Sequence, residues 1–230
     1  MPPEGLRELL EKTGFFIFDF DGVIVDSEFF FYLSAKKALS LYKDLDEDYY
    51  YRYWTNIGNG LERELDELHL TQAEEIIIKN SLKKNYLYHV NSGLIKSYKE
   101  VKPILNILLD NGKRLYIASN TSTEVLSSLL ESNNIPGHYF SGIFGKTPSL
   151  RPKPHPDIFL HTLEKTGINP MDAIVVEDTD KGTISAGRAG LKSIAVRSRH
   201  NECAEFRDSE YIFQGHGEFL SWLQNNIALK

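Results

Sequence analysis

The ten residues Phe15–Ile24, FFIFDFDGVI, constrain this chain more than any others. An apolar run from Phe15 to Phe18 drives straight into Asp19 and Asp21, and Gly22 follows. The run has the length of a fully buried strand and is too short for a helix. Glycine directly after it lets the backbone turn tightly. The two carboxylates are therefore expected at the carboxyl end of a strand, where open parallel sheets place their ligands. Acids one residue apart repel each other, which is tolerable when a cation lies between them. Taken alone the stretch also fits a solvated D-x-D turn; three later stretches weigh against that.

The rest of the chain has to supply the sheet. Residues 5–13 suit a short amphipathic helix through Leu6, Leu9 and Leu10. From about Asp26 to Lys96 strand patterns vanish and helical spacing takes over, with one helix around Tyr32–Tyr42, one through Leu61, Leu65 and Leu68, and one from Ala73 to Leu87. This stretch is expected to be a small helical unit inserted after the first strand. Tyr49, Tyr50, Tyr51, Tyr53 and Trp54 fit core and hinge packing, or else a substrate face. The turn-formers of Asn56–Gly60 fit a projecting loop. From Tyr98 onward strands alternate with helices: a helix over Val101–Leu109 stopped by Gly112, a strand over Arg114–Ala118, a helix capped by Thr121 or Ser122, and a short strand at Gly142–Gly145. The proline-rich loop Arg151–Asp157 leads into a helix over Ile158–Lys165. A strand at Ala173–Glu177, a small-residue helix over Gly182–Gly190, strands at Lys192–Val196 and Tyr211–Phe213 and an amphipathic helix through Phe219, Trp222 and Ile227 complete the chain. Such alternation predicts an α/β fold with a doubly wound parallel sheet. The expected organisation is a first core segment over 1–25, the helical insertion over 26–96 and the remainder of the core over 97–230.

Bulk properties narrow the partners. Apolar residues make up 41% of 230, enough for a packed core. The net charge is −6 and no long basic run occurs, which argues against nucleic acid. An acidic protein that binds phosphate needs local positive groups or a metal. Cys203 is the only cysteine, which rules out an intrachain disulfide and fits a reducing compartment. Met1-Pro2-Pro3-Glu4 does not lead a basic segment into an apolar one, and no apolar run reaches the length of a membrane span, so a cytoplasmic protein without a membrane partner is expected.

Three expected strands end in polar residues: Asp19 with Asp21, Ser119 with Asn120, and Glu177 with Asp178. Lys153 sits in the stiff proline loop. Parallel strands bring these ends to one edge, assembling carboxylates for a hard cation, a hydroxyl donor and a fixed ammonium, an inventory suited to phosphoryl transfer. Each residue alone has a simpler reading: Ser119 as a helix cap, Lys153 as a solvated lysine, Asp180 as a helix cap rather than a ligand. Asn120-Thr121-Ser122 matches the glycosylation pattern but has no secretory context.

FDFDGVIVDS, then ASNT, then RPKPHPDIF, then VVEDTDKGTISAGRAG, in this order, resemble the four motifs of the haloacid dehalogenase superfamily. Within it the chain resembles the branch with a helical cap after the first motif, which includes beta-phosphoglucomutase-like phosphatases. The resemblance spans Phe15–Gly190, the cap matching only in length and helical character. It implies a Rossmann-like core and a Mg²⁺-dependent phosphomonoester hydrolase acting on a small phosphorylated metabolite, as a monomer or homodimer. Asp19 would be the nucleophile that forms an aspartyl-phosphate, and Asp21 the general acid and then base, with its backbone carbonyl on the metal. Ser119, Asn120 and the Phe20 amide would hold the phosphoryl oxygens, and Lys153 would pair with them and with Asp19. Asp178, with Glu177, would complete the Mg²⁺ ligands. By the same resemblance the Asn56–Gly60 loop would contact substrate, with Arg52, Asn56, Asn59 and Arg63 as its candidates, and His155 would touch substrate or merely fill space. A beta-phosphoglucomutase-type mutase shares all four motifs, but its relatives carry a histidine where this chain has Phe29–Tyr32. Dehalogenase relatives lack the acid at Asp21. A phosphorylatable signalling or binding module is the outside alternative: receiver domains share the acidic pair, a Ser or Thr and the lysine but have about half this length and no helical insert, and a binding protein on an inactive scaffold has no missing motif residue to support it.

Overall fold

The burial of alternate residues along the central strands sets the architecture. In β1 (Phe15–Phe18) and β4 (Ala173–Glu177), Phe16, Phe18, Ile174 and Val176 face one apolar cluster, and Ile17, Ala173 and Val175 face another. Strands buried on both faces need helices on both sides. The computed structural model, which describes residues 4–46, 49–50, 60–202 and 204–227, supplies them. α5 (Val101–Asp110), α6 (Thr123–Ser132) and α9 (His216–Asn226) cover the first face. α7 (Asp157–Thr166) and α8 (Asp180–Arg188) cover the second. With β2 (Arg114–Ala118), β3 (Phe140–Phe144), β5 (Lys192–Val196) and β6 (Tyr211–Phe213), the six strands run in the order β3-β2-β1-β4-β5-β6, all parallel. This is the α/β fold the alternation predicts.

α1 (Glu4–Lys12) packs Leu6 and Leu10 into the first cluster. Its carboxyl end is held by Lys113, whose ammonium donates to the carbonyls of Leu10, Glu11 and Thr13 at 2.7–3.1 Å. β3 starts at Phe140, two residues before the expected strand, because Leu115 pairs with Phe140 ahead of a register shift.

Between β1 and α5 lie α2 (Glu28–Leu39), α3 (Gly60–Glu67) and α4 (Gln72–Asn91). Thr71 and Glu74 close a capping box at the start of α4. These helices share their own apolar cluster, including Tyr32, Leu39, Tyr50, Leu65, Ile78 and Leu82. Tyr50 is fully buried there, and Tyr49 donates to Glu64, so both pack rather than line a substrate face. Tyr51, Tyr53 and Trp54 lie outside the described residues. Glu64, fully buried, is paired with Lys43 at 2.6 Å and with Arg63 at 2.8 Å. The two connections to the sheet lie side by side: Val25 bridges Ser97, the Asp26 amide donates to Lys96, and the Tyr98 amide donates to Ile24. Among the described residues no helix is long and apolar enough to cross a membrane.

Candidate active site

The sheet order reverses at β1, so the carboxyl ends of β1, β2 and β4 face one crevice. Asp19 continues the ladder one step past β1, its amide donating to Val176 O at 2.9 Å. Its carboxylate is buried, and Oδ1 accepts from Lys153 Nζ at 2.5 Å. The same ammonium donates to Glu177 Oε1 at 2.6 Å and to Ala118 O at 3.0 Å, which uses all three of its protons. Asn120 Oδ1 accepts from the Lys153 amide at 3.1 Å and so fastens the proline loop to the end of β2.

Asp21 points the other way, toward hydroxyls. Oδ1 accepts from Ser27 at 2.5 Å and from Tyr86 at 3.4 Å, and Oδ2 from Thr121 at 2.6 Å and Ser119 at 3.5 Å. Ser119 Oγ also accepts from the Thr121 amide at 3.1 Å. Thr121 is thus spent on Asp21, and Ser122 holds the N-cap position of α6 without a side-chain cap bond.

Asp19, Glu177 and Asp178 place carboxylate oxygens within 4.8 Å of one another. Glu177 Oε2 is anchored by the Asp178 and Thr179 amides and the Thr179 hydroxyl at 3.0–3.2 Å. Gly182 makes this possible, since a Cβ there would lie 1.8 Å from the Glu177 carboxyl carbon. On the opposite side Gly22, at φ +80°, leaves room for Asp178: a Cβ would stand 1.9 Å from Oδ2. Asp178 Oδ1 is buried without a hydrogen-bond partner.

Charge in the crevice is unbalanced. Burial, set against the attraction of Lys153 and reinforced by Glu177 and Asp21, pushes the Asp19 carboxyl up to about 7. Burial and the charges of Glu177 and Asp19 push Asp178 well above the usual carboxylate range. Burial opposes the Lys153 ammonium, but Asp19 and Glu177 outweigh it and hold its proton more tightly than usual. Three carboxylates against one ammonium, an all-oxygen donor set and an orphaned buried oxygen on Asp178 fit a hard divalent cation such as Mg²⁺.

Other sequence candidates fall elsewhere. The Phe20 ring is buried, and its carbonyl closes the turn by accepting from Ile24 and Val25. His155 is exposed, and its carbonyl accepts from Ser185. Arg63 donates to Glu64 and Tyr49 inside the helical unit. Arg52, Asn56 and Asn59 lie outside the described residues. Asp180 is no cap: Thr179 is, its side chain accepting from the Gly182 amide, while Asp180 is the first helical residue and accepts from the amides of Glu205 and Phe206. Sequence reasoning missed Ser27, Tyr86, Thr121 and Asn201, whose Nδ2 donates to Asp178 O at 2.8 Å. Ser27 and Thr121 are the last residues of two recognised motifs, whereas nothing local marks Tyr86 or Asn201.

The model of the haloacid dehalogenase-like hydrolases matches residues 16–196. A phosphoglycolate phosphatase of Aquifex aeolicus (strain VF5) is 33% identical over 183 residues, covering 77% of this chain and 81% of that protein. A predicted phosphoglycolate phosphatase of Haemophilus somnus 129PT superposes with a TM-score of 0.77 at 24% identity, covering 91% of this chain and 97% of the other. A putative beta-phosphoglucomutase of Thermotoga maritima gives a TM-score of 0.70 at 22% identity over 93% of this chain and 99% of the other, a likeness of fold.

Proposed function

The chain belongs to the haloacid dehalogenase-like hydrolases, and from that premise we propose that it is a Mg²⁺-dependent phosphomonoester phosphatase that works through an aspartyl-phosphate on Asp19. The observation that carries the reading is the placement of Asp19: its carboxylate is held by Lys153 and stands beside Glu177 and Asp178, at the edge where Asp21 is aimed by hydroxyls.

Asp19 attacks the phosphorus, and the bond to the ester oxygen breaks. Lys153 fixes the carboxylate and offers positive charge to the phosphoryl oxygens. Ser119 and the Asn120 backbone hold those oxygens, as does the Phe20 amide. Asp21, oriented by Ser27 and Thr121, gives its proton to the leaving oxygen and later takes one from the water that cleaves the aspartyl-phosphate. Asp19, Glu177, Asp178 and the Asp21 carbonyl would hold Mg²⁺, which screens the phosphate from the attacking carboxylate.

Residues 26–96 act as a cap that excludes bulk water, with Arg52, Asn56 and Asn59 as its substrate contacts. The name of the Aquifex relative makes phosphoglycolate the first substrate to try among small phosphorylated metabolites. Phosphate release from a panel including phosphoglycolate and hexose phosphates, with Mg²⁺ and with EDTA, is the test. Release by wild type, lost with EDTA and in Asp19→Asn, supports the proposal. Conversion of hexose 1-phosphate to its 6-phosphate isomer without net release assigns a mutase instead.

A further inference from the structure

His200 lies on the loop after β5, 174 residues from Asp26 and 150 from Tyr50, yet its imidazole joins the two. The ring is buried, with Nε2 2.6 Å from Asp26 Oδ1 and Nδ1 2.5 Å from the Tyr50 hydroxyl. Arg199 Nε also lies 3.1 Å from Nε2, but the contact to Asp26 is shorter and a carboxylate only accepts, so in the neutral imidazole Nε2 carries the proton and Nδ1 accepts from Tyr50. The three residues belong to three parts of the molecule. Tyr50 is packed in the core of the helical unit, its ring 4.8 Å from Tyr32 and 5.2 Å from Phe29. Asp26 lies in the paired connections, its amide on Lys96 O, its carboxylate also taking Arg199 at 2.8 Å and Tyr98 at 3.5 Å. His200 belongs to the sheet domain, and its neighbour Asn201 donates to the backbone carbonyl of Asp178.

We propose that His200 is a positioning residue that latches the helical unit onto the core through Tyr50–His200–Asp26 and so holds the crevice in its substrate-ready form. The role rests on the phosphatase reading, because it is for that chemistry that a seated cap matters. The Tyr50 hydroxyl has no apolar use in its cluster, and one buried hydrogen bond across a boundary is enough to shift a two-position equilibrium about tenfold. A latch that only raises the seated population acts on apparent affinity more than on the chemical step.

The test uses the full chain with Tyr50→Phe, His200→Ala, the double variant, and His200→Gln, whose carboxamide can replace part of the bridge. Two readouts are taken: amide hydrogen exchange at 24–27 and 96–98 without substrate, and KM against kcat for the panel phosphoester, phosphoglycolate first, from which wild type releases phosphate. Tyr50→Phe and His200→Ala are each expected to speed exchange at the connections about tenfold and to raise KM about tenfold, with kcat within about threefold. The double variant should be no worse than His200→Ala, and His200→Gln should recover part of the loss. Unchanged exchange in Tyr50→Phe, or effects that multiply in the double variant, overturns the latch. Tyr50→Phe removes a single oxygen and decides the matter alone if His200→Ala does not fold. A wild type that releases phosphate from no member of the panel defeats the phosphatase reading, while the exchange measurement still decides the latch.

Discussion

Lys153 satisfies two buried carboxylates and a strand-end carbonyl at once, so its removal leaves Asp19 and Glu177 facing each other unpaired. Lys153→Ala should cost about 3–5 kcal/mol in thermal or denaturant unfolding without Mg²⁺, and Mg²⁺ should restore part of it. Thr121 gives a smaller effect. Thr121→Val deletes the 2.6 Å bond to Asp21 and should lower kcat roughly tenfold while leaving Tm nearly unchanged. Proton linkage follows from Asp19. Its carboxyl is raised from 3.8 to about 7, so the fold favours the neutral form. The stability this contributes is complete below the ordinary value and lost as pH rises through about 7. Mg²⁺ needs the carboxylate, so its binding should release protons at pH 6, seen by calorimetry in buffers of different ionisation enthalpy, and should raise Tm more at pH 8 than at pH 5.5.

At the scale of elements, the first turn of α8 and the turn after β1 are shaped around carboxylates. Gly182 lies against Glu177 and Gly22 against Asp178, so each glycine is a space reserved for an acid. Gly182→Ala should displace Glu177, cost about 1–3 kcal/mol and weaken Mg²⁺ binding, measured by titration calorimetry on the purified variant. Unaltered Mg²⁺ affinity in a folded variant would remove Glu177 from the site. α4 contributes differently: it carries Tyr86 from the helical unit to Asp21, so one helix both builds the insertion's own core, through Ile78 and Leu82, and reaches the crevice.

For the whole molecule, the strand order places β1 and β4 at the centre, β2 and β5 beside them, and β3 and β6 at the edges. Amide exchange should therefore be slowest in β1 and β4, faster at β3 and β6, and separately paced in α2–α4, which close around their own apolar cluster. Mass-spectrometric exchange resolves these segments. An insertion exchanging in step with β1 would mean that the two clusters unfold as one unit.

The sequence by itself determined the sheet, because short apolar runs buried on both faces have few other solutions. It also placed Asp19, Ser119 and Glu177 at one edge, because strand ends in a parallel sheet converge by topology rather than by side-chain detail. The glycines after β1 and β4 were legible in position though not in purpose. Only the tertiary structure decided what each carboxylate touches. Tyr86 reaches Asp21 across 65 residues, and His200 reaches Asp26 across 174. Such pairings depend on how the helical unit is seated, and no local periodicity encodes that. The same holds for Thr121, which could serve equally as a cap, and for Asp180, which gave up the cap to Thr179 once the loop at Glu205 and Phe206 offered its amides. A polar side chain's role is set by which partner arrives within about 3 Å, and for these residues the partner comes from a distant part of the chain.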